Sequence, residues 1–449
     1  MILRGPVVAL VLLGLVPTAL LPGRAGSVAA LWLLGVALLV LVDVLAAPSP
    51  RTIGLGRDPV PQVRLQEQTQ TVLSLTNTGE RRVRGLVRDA WVPSAGAEGA
   101  EGARGARGAR HTLDLPPGER RRVTTTLRPT RRGDRPATGV TIRTHGPLGL
   151  AGRQVTVLVP GTVRSLPPFR SRRHLESKLA QLRQLDGRSA VRTRGQGTEF
   201  DSLREYVEGD DVRSIDWRAT ARRQHAVVRT WRPERDRRVI LVLDTSRTSA
   251  ARVGDEPRLD AAMDAALLLT AVASRAGDRV DLIAGDRVVR ARVGAAGAGS
   301  GSTTGASSLL HRMVTAMAPL EPVLLEADWP VLAGAVTGTT RRRALVVLLS
   351  TLEPAAVEEG LLPVLPSLTA HHRVVLASVA DPGLRSLRED LSGVDAVYDA
   401  AAAERTEALR HRTATGLARL GVTVVHEPPE DLPVALVDHY LALKAQGLL

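Results

Sequence analysis

Hydrophobic and polar positions divide the chain into segments of different periodicity. Gly5 to Leu21 is an apolar run interrupted by Pro6 and Pro17, Pro22-Gly23-Arg24-Ala25-Gly26 is a turn signal, and Ser27 to Ala47 is a second apolar run with Asp43 near its end. Crossing the hydrocarbon takes about 20 helical residues. The second run meets that length and the first approaches it. Lipid offers no partner for open backbone groups, so both runs are expected to be helical. A cleaved signal peptide over Met1 to Gly26 is the competing reading. Against it, a second apolar run follows at once, without a good small-x-small cleavage site before it. Asp43 is close enough to the helix end to reach the interface and is given no role.

From Arg51 to Pro168 helical periodicity is missing. Short alternating runs take its place, at Val63 to Leu65, Thr71 to Leu75, Val83 to Val87, His111 to Leu115, Arg121 to Leu127, Thr138 to Thr144 and Arg153 to Val159. Turn residues such as Asn77-Thr78-Gly79 and Pro116-Pro117-Gly118 separate them, which predicts a β-sandwich. Gly96 to Arg110 is low in complexity and reads as a flexible loop. Arg170 to Leu185 is a polar, helix-prone connector with Leu175, Leu179 and Leu182 on one face.

Beyond the connector the period changes again. Arg238 to Leu243 is a continuous apolar run ending at Asp244, as expected of a strand buried on both faces. Further strands are predicted at Arg279 to Ala284, Arg287 to Val293, Ala344 to Leu349, Arg373 to Val379 and Val422 to His426. They alternate with helices near Pro257 to Ala276, Leu309 to Ala318, Asp328 to Val336, Ala355 to Leu365, Ala403 to Leu420 and Leu432 to Ala445. Alternation of this kind implies a mainly parallel sheet covered by helices. The expected architecture is multidomain. A transmembrane helical hairpin (1–50, helices 5–21 and 27–47) precedes an all-β sandwich-like domain (51–168, flexible loop 96–110). A helical connector (169–196) and a C-terminal α/β domain (197–449) follow.

Composition adds charge and removes some chemistry. The chain has 449 residues, a formal net charge of +14 and no cysteine, which excludes disulfides, thiolate metal sites and cysteine nucleophiles. Its cations are almost all arginine; Lys178 and Lys444 are the lysines. The arginines are spread through every segment with few aromatics among them, unlike a nucleic-acid platform. No nucleic-acid partner is therefore expected, and a surface that favours anionic lipid or an acidic protein partner is the better match for the charge. Arg4 before the first apolar run, and Arg51 and Arg57 after the second, outnumber Arg24 between them. The positive-inside rule then puts both ends, and the soluble domains, in the cytoplasm.

Five Trp, three Tyr and two Phe are all the aromatics of the chain, and Phe200, Tyr206, Trp217 and Trp231 fall within Gly197 to Trp231. Charges are interleaved with them, among them Glu199, Arg204, Asp210, Arg213, Asp216 and Arg222. Arginine three residues from each of two acids permits bidentate pairing. Two readings stand for this stretch. Its pairs orient one element against the next domain, or it forms a recognition surface for a partner protein. A hydrolytic enzyme using the acids of 199–216 is a further alternative, as is a structural envelope protein. No catalytic residue is assigned, and the expectation is a protein that is not an enzyme.

The run Gly197-Thr-Glu-Phe200, Leu203-Arg204, Tyr206, Gly209-Asp210, Arg213, Ile215-Asp216-Trp217 and Ala219-Thr220-Ala221-Arg222 resembles the signature of the domain of unknown function 58 family. Arg128 to Gly133 and Gly146 to Leu150 resemble that family's β-domain. The spacing Asp244-x-Ser246-x-Thr248 resembles the metal-ion-dependent adhesion site of von Willebrand factor A domains. The resemblances imply a von Willebrand factor A-like α/β fold and a membrane-anchored interaction module partnered by a MoxR-type AAA+ ATPase. They also imply Mg²⁺ as cofactor, held by Asp244 with Ser246 and Thr248. Oxygen ligands with water in the remaining positions suit that ion. Thr351 stands where the adhesion pattern has aspartate; Glu353, Thr303 and Thr304 are the other oxygen donors considered. The competing reading is a hydroxyl-rich turn in which Asp244 caps the backbone. Glycines at 294–305 lack the order of a phosphate-binding loop.

Overall fold

The computed structural model describes residues 2–20, 22–98, 109–190, 199–207, 212–223, 225–232, 237–294 and 303–449. The described chain forms two compact units, Met1–Leu166 and Pro167–Leu449.

In the first unit, strand β1 (Ile2–Leu3) leads into helices α1 (Gly5–Leu13), α2 (Leu15–Leu20) and α3 (Ala25–Ala46). The apolar segment Ala25–Thr52 has a mean hydropathy of 2.7 and is long enough to cross a membrane, whereas Gly5–Leu20 is apolar but shorter. The first run thus splits at Gly14 instead of forming one span-length helix. That glycine lets Trp32 approach closely: a Cβ there would lie 2.4 Å from Trp32 Cδ1. The Trp32 indole donates to the Leu10 carbonyl at 2.9 Å, tying α3 to α1.

Strands β2 (Ile53–Arg57), β3 (Val63–Arg64), β4 (Thr69–Asn77), β5 (Val83–Trp91), β6 (Ala97–Glu98), β7 (Arg110–Leu115), β8 (Arg120–Leu127), β9 (Gly133–His145), β10 (Ala151–Val157) and β11 (Thr162–Leu166) build two sheets. One has the order β2-β4-β8-β6; the other runs β1-β10-β9-β11-β3, with β5 on β9 and β7 on β5. Alternation sends Leu73, Leu75 and Val123 of one sheet and Val83, Val87, Leu113, Val140 and Ile142 of the other into a shared core. Strands β1, β2, β6 and β11 exceed the sequence-based expectation. Strand β2 hid because it carries Arg57, whose guanidinium is buried on the Asp89 carboxylate and over the Trp91 ring at 4.8 Å. Ala97–Glu98 and Arg110 are likewise strand residues inside the expected flexible loop; 99–108 lie outside the described residues.

Asp43 corrects the sequence reading. Its side chain is fully buried, and its carboxylate accepts the backbone N–H groups of Leu148 (2.8 Å), Leu150 (2.8 Å) and Ala151 (2.7 Å). Gly146 must lack a side chain here, since a Cβ would stand 2.1 Å from Asp43 Oδ1. The same turn pairs with the chain's beginning, where Ile2 and Leu3 lie opposite Gly152 and Ala151. Both ends of the helical segment are therefore fastened to one loop of the sandwich.

The second unit opens with α4 (Leu175–Ala190), β12 (Glu199–Glu205), α5 (Trp217–Arg223) and β13 (Val227–Arg232). Then follow β14 (Arg238–Asp244), β15 (Arg252–Val253), β16 (Glu256–Pro257), α6 (Arg258–Arg275), β17 (Arg279–Gly285), β18 (Val289–Val293), α7 (Thr303–Met317), α8 (Trp329–Thr339) and β19 (Leu345–Leu349). The chain ends with α9 (Pro354–Ala356), a π-helical turn at Val357–Leu361, α10 (Leu365–Thr369), β20 (Arg373–Val379), α11 (Pro382–Glu389), α12 (Val394–Arg419), β21 (Val422–Glu427) and α13 (Leu432–Ala445). Six strands form one sheet in the order β18-β17-β14-β19-β20-β21. All neighbours are parallel except β17 and β18. Helix α6 is buried from Leu259 to Ala273, all round, so alanines fill the positions where an amphipathic helix would turn polar residues to water. The helix expected near 355–365 is broken before Pro363, and α12 starts earlier than its apolar period suggested.

Both lysines of the chain are buried, and each reaches an aspartate in this unit. Lys178 of α4 pairs with Asp438 of α13, and Lys444 of α13 lies 3.3 Å from Asp278. Burial pushes the Asp278 carboxyl up; the Lys444 ammonium and the Tyr440 hydroxyl, at 2.5 Å, pull it back. Replacing Tyr440 by Phe keeps the ring and removes the hydroxyl donor. The expected loss is about 1.5–3 kcal/mol, the cost of a hydrogen bond to a charged group, read by denaturant unfolding.

Candidate functional site

Strand β14 lies between β17 and β19 and delivers Asp244 to the carboxyl rim of the sheet, where α/β sheets bind ligands. Asp244 is 1% exposed, and burial raises its carboxyl above the usual range. Opposing that, Ser350 Oγ donates to its Oδ2 at 2.6 Å and the Ser246 backbone N–H to its Oδ1 at 2.8 Å. Thr248 Oγ1 is 3.3 Å from Oδ2 and 3.2 Å from Ser246 Oγ. The structure thus brings Asp244, Ser246 and Thr248 together and adds Ser350. Sequence reasoning passed over Ser350; the signal was a hydroxyl immediately after the apolar strand that neighbours β14.

These residues line a cavity of about 270 Å³, shared with Thr351, Trp329 and the π-helical turn. Such turns recur at functional sites. Gly360 in that turn leaves room for the indole, since a Cβ would stand 2.9 Å from Trp329 Cδ1. The rim carries an exposed ion pair, Arg247–Glu326 at 2.6 Å. At the Thr351 side, the Arg258 guanidinium comes within 3.4 Å of the Thr351 hydroxyl. Glu353 turns away from Asp244: it pairs with the buried guanidinium of Arg410 and lies 3.7 Å from Arg258. Thr303 begins α7, and the side chains of Thr303 and Thr304 lie outside the described residues. Asp286, after β17, is held by Thr245 and Arg290. Among the described residues no group of three or more acidic or histidine side chains converges on one point.

The donor set tests what could bind. The side chains gathered at Asp244 offer oxygens: the Thr248 and Ser350 hydroxyls meet its carboxylate and Ser246 Oγ lies beside Thr248 Oγ1, a donor set that suits a hard divalent cation. Capping is present too, since the Ser246 N–H takes Oδ1.

The other predicted site residues that are described lie on a separate two-stranded sheet, β12-β13, or in the segment of short helical turns between its strands. Glu199 and Phe200 are on β12, with Phe200 in register with Trp231 of β13. Arg204, half-buried, donates to the Glu205 carbonyl at 3.1 Å, and the Tyr206 N–H bonds to the Ala226 carbonyl at 2.8 Å. Arg213 sits in a short 3-10 turn, and Asp210 lies outside the described residues. Asp216 accepts the N–H groups of Arg218 and Ala219, both at 3.0 Å, and so caps α5. Arg222 is exposed, and Trp217 is 68% exposed. Val207 and Val212, each 61% exposed, precede it in sequence.

Fold and site together define an α/β protein with a mainly parallel sheet and a hydroxyl-ringed carboxylate at its rim. Residues 202–419 of this chain match the family described as "Protein of unknown function DUF58". The match includes the site and most of the six-stranded sheet, and it upholds the family resemblance read in residues 197–222. Among curated relatives, the uncharacterized protein Rv1480 of Mycobacterium tuberculosis is 30% identical over 191 residues, 42% of this chain and 56% of its own length. The uncharacterized protein Mb1516 of Mycobacterium bovis gives the same figures. The chain therefore spans little more than half the length of the curated relatives it matches. Among solved structures, the PapD-like domain 7 of human CEP192 is 16% identical, covers 26% of this chain and 89% of its own, with a TM-score of 0.19. The CARDB domain of the PF1109 protein from Pyrococcus furiosus, also 16% identical, covers 24% of this chain and 86% of its own, with a TM-score of 0.16.

Proposed function

We propose that this chain is a membrane-anchored, non-enzymatic interaction module whose von Willebrand factor A-like domain docks a partner protein at the rim of its parallel sheet. The observation that carries this reading is the Asp244 site: one carboxylate ringed by Ser246, Thr248 and Ser350, opening on a cavity large enough for a partner side chain. Asp244, Ser246 and Thr248 would hold Mg²⁺. A bound ion supplies positive charge to which a partner's carboxylate can attach. Because Asp244 is the one acid among these three ligands, the ion keeps net positive charge for the partner's own carboxylate. The exposed Trp217, Val207 and Val212 offer a second contact area, as expected of a protein–protein surface. The partner we propose is a MoxR-type AAA+ ATPase. Capture with the full chain in detergent should recover an ATPase with Mg²⁺ present and lose it when the metal is chelated. Recovery that ignores chelation sinks the metal-dependent reading.

The helices anchor the module by two passes, with the domains in the cytoplasm. Support comes from the shared fastening: β1 and the end of α3 hold the same loop, so the segment leaves and returns on one side. Arg24 then faces the opposite side. The chain has no cysteine, so an Arg24→Cys variant carries a single thiol. An impermeant maleimide is expected to label it from outside intact cells. Labelling only after the cells are opened would overturn the topology.

A further inference from the structure

The β-sandwich begins where the apolar helix stops, and arginines stand at that level. Arg153 Nε donates to the Val44 carbonyl at 3.1 Å, and Arg81 Nη1 reaches the Ala46 carbonyl at 3.5 Å. Both carbonyls belong to the last turn of α3, where helix carbonyls lack partners and the helix dipole is negative. On the fastening loop, Arg4 Nη1 reaches the Gly149 carbonyl at 3.5 Å. Each guanidinium has five N–H donors, and these contacts engage one of them. Arg4 and Arg81 are exposed and Arg153 is half-buried, so donors remain for a ligand. Beside them Leu3, Leu45 and Leu148 are 57%, 64% and 52% exposed. Cations and bare apolar side chains therefore meet in one collar around the end of α3.

We infer that this collar binds anionic phospholipid, the arginines taking the phosphodiester and the leucines the upper acyl chains. The inference rests on the membrane-anchored reading of α3. Chemistry favours lipid over free phosphate, because a soluble anion would leave the three leucines in water. Guanidinium matches phosphate oxygens with paired hydrogen bonds, and basic residues beside a membrane helix attract anionic headgroups. Attraction of about 1 kcal/mol per arginine corresponds to roughly fivefold per residue in lipid preference.

The test uses the full chain in nanodiscs of equimolar phosphatidylglycerol and phosphatidylcholine. Native mass spectrometry then counts the lipids that stay bound after release. Wild type should retain phosphatidylglycerol in at least about 25-fold excess, as two or more engaged arginines require. An Arg4→Gln, Arg81→Gln, Arg153→Gln triple variant should lose that excess. The triple lysine variant should keep most of it. A charge-matched control, Arg84→Gln, Arg110→Gln and Arg122→Gln on exposed strand positions, should retain it in full. Equal retention of both lipids by wild type, or an excess that survives in the glutamine triple, overturns the inference. If the excess falls equally in the control, net charge and not the collar is responsible, and the inference also fails. A chain that stays out of the nanodisc altogether refutes the membrane reading itself, a separate result.

Discussion

Replacing Asp43 by asparagine is expected to destabilise the first unit by about 2–4 kcal/mol, through charge-assisted hydrogen bonds weakened and a buried N–H left unsatisfied. The carboxylate offers two acceptor oxygens, and three backbone N–H groups use them: Leu148 on Oδ1, Leu150 and Ala151 on Oδ2. Asparagine keeps one acceptor and turns an NH₂ group toward donors. At least one buried N–H then faces another donor, at a cost of about 1–3 kcal/mol for each unsatisfied group. Alanine removes all three bonds without adding a donor, so the two variants should be of similar severity. In thermal unfolding of the full chain in detergent, the transition of this unit should drop by roughly 10 °C. Gly146→Ala supplies a reciprocal test, because its Cβ would displace the Asp43 side chain from the loop. Both changes break one contact, so the double variant should cost clearly less than the sum of the singles. An Asp43→Asn chain that unfolds like wild type would show that the loop does not depend on the carboxylate.

The second large effect is expected at Asp244. Calorimetry of the full chain in detergent should give Mg²⁺ binding in wild type and a loss of more than about tenfold, or about 1.4 kcal/mol, in Asp244→Asn. The asparagine variant should fold normally. Its carbonyl can accept from the Ser246 N–H, and its NH₂ can donate to the Ser350 hydroxyl in place of the present bond. Removing the charge also relieves the desolvation that raises this carboxyl. Asp244→Ala, by contrast, strips the acceptor from Ser246, Thr248 and Ser350 together. It should cost about 2–3 kcal/mol through buried groups left unpaired. The pair of variants separates the roles: loss of Mg²⁺ heat with intact stability in the asparagine chain identifies a ligand, whereas equal loss of stability in both identifies a cap. Wild type that gives no heat with Mg²⁺ removes the metal from the proposed function.

The apolar run Arg238 to Leu243 was legible as a buried strand because helices cover both faces of a parallel sheet, and every position from Val239 to Leu243 is indeed buried. Asp244 at its end, with Ser246 and Thr248 two and four residues on, was legible for the same local reason. Ser350 was not, since its approach to Asp244 spans 106 positions and depends on β19 pairing with β14 in one register. Glu353 looked available along the chain but is taken by Arg410 on α12. Asp216 read as half of an ion pair with Arg213, whose side chain lies outside the described residues; what only the structure added is that the Asp216 carboxylate holds the first turn of α5.

Asp43 marks the boundary most clearly. Local pattern was enough to predict which stretches are helix, strand or turn and which strand is greasy on both sides, because those follow from periods of a few residues. It could not assign a meaning to a lone acid at the end of an apolar helix. That meaning came from a turn more than 100 positions away, folded so that three N–H groups point at one carboxylate. Hydrogen bonds act over about 3 Å and need a specific direction. Which distant residues meet at that range is a property of packed elements, and no sequence period encodes it.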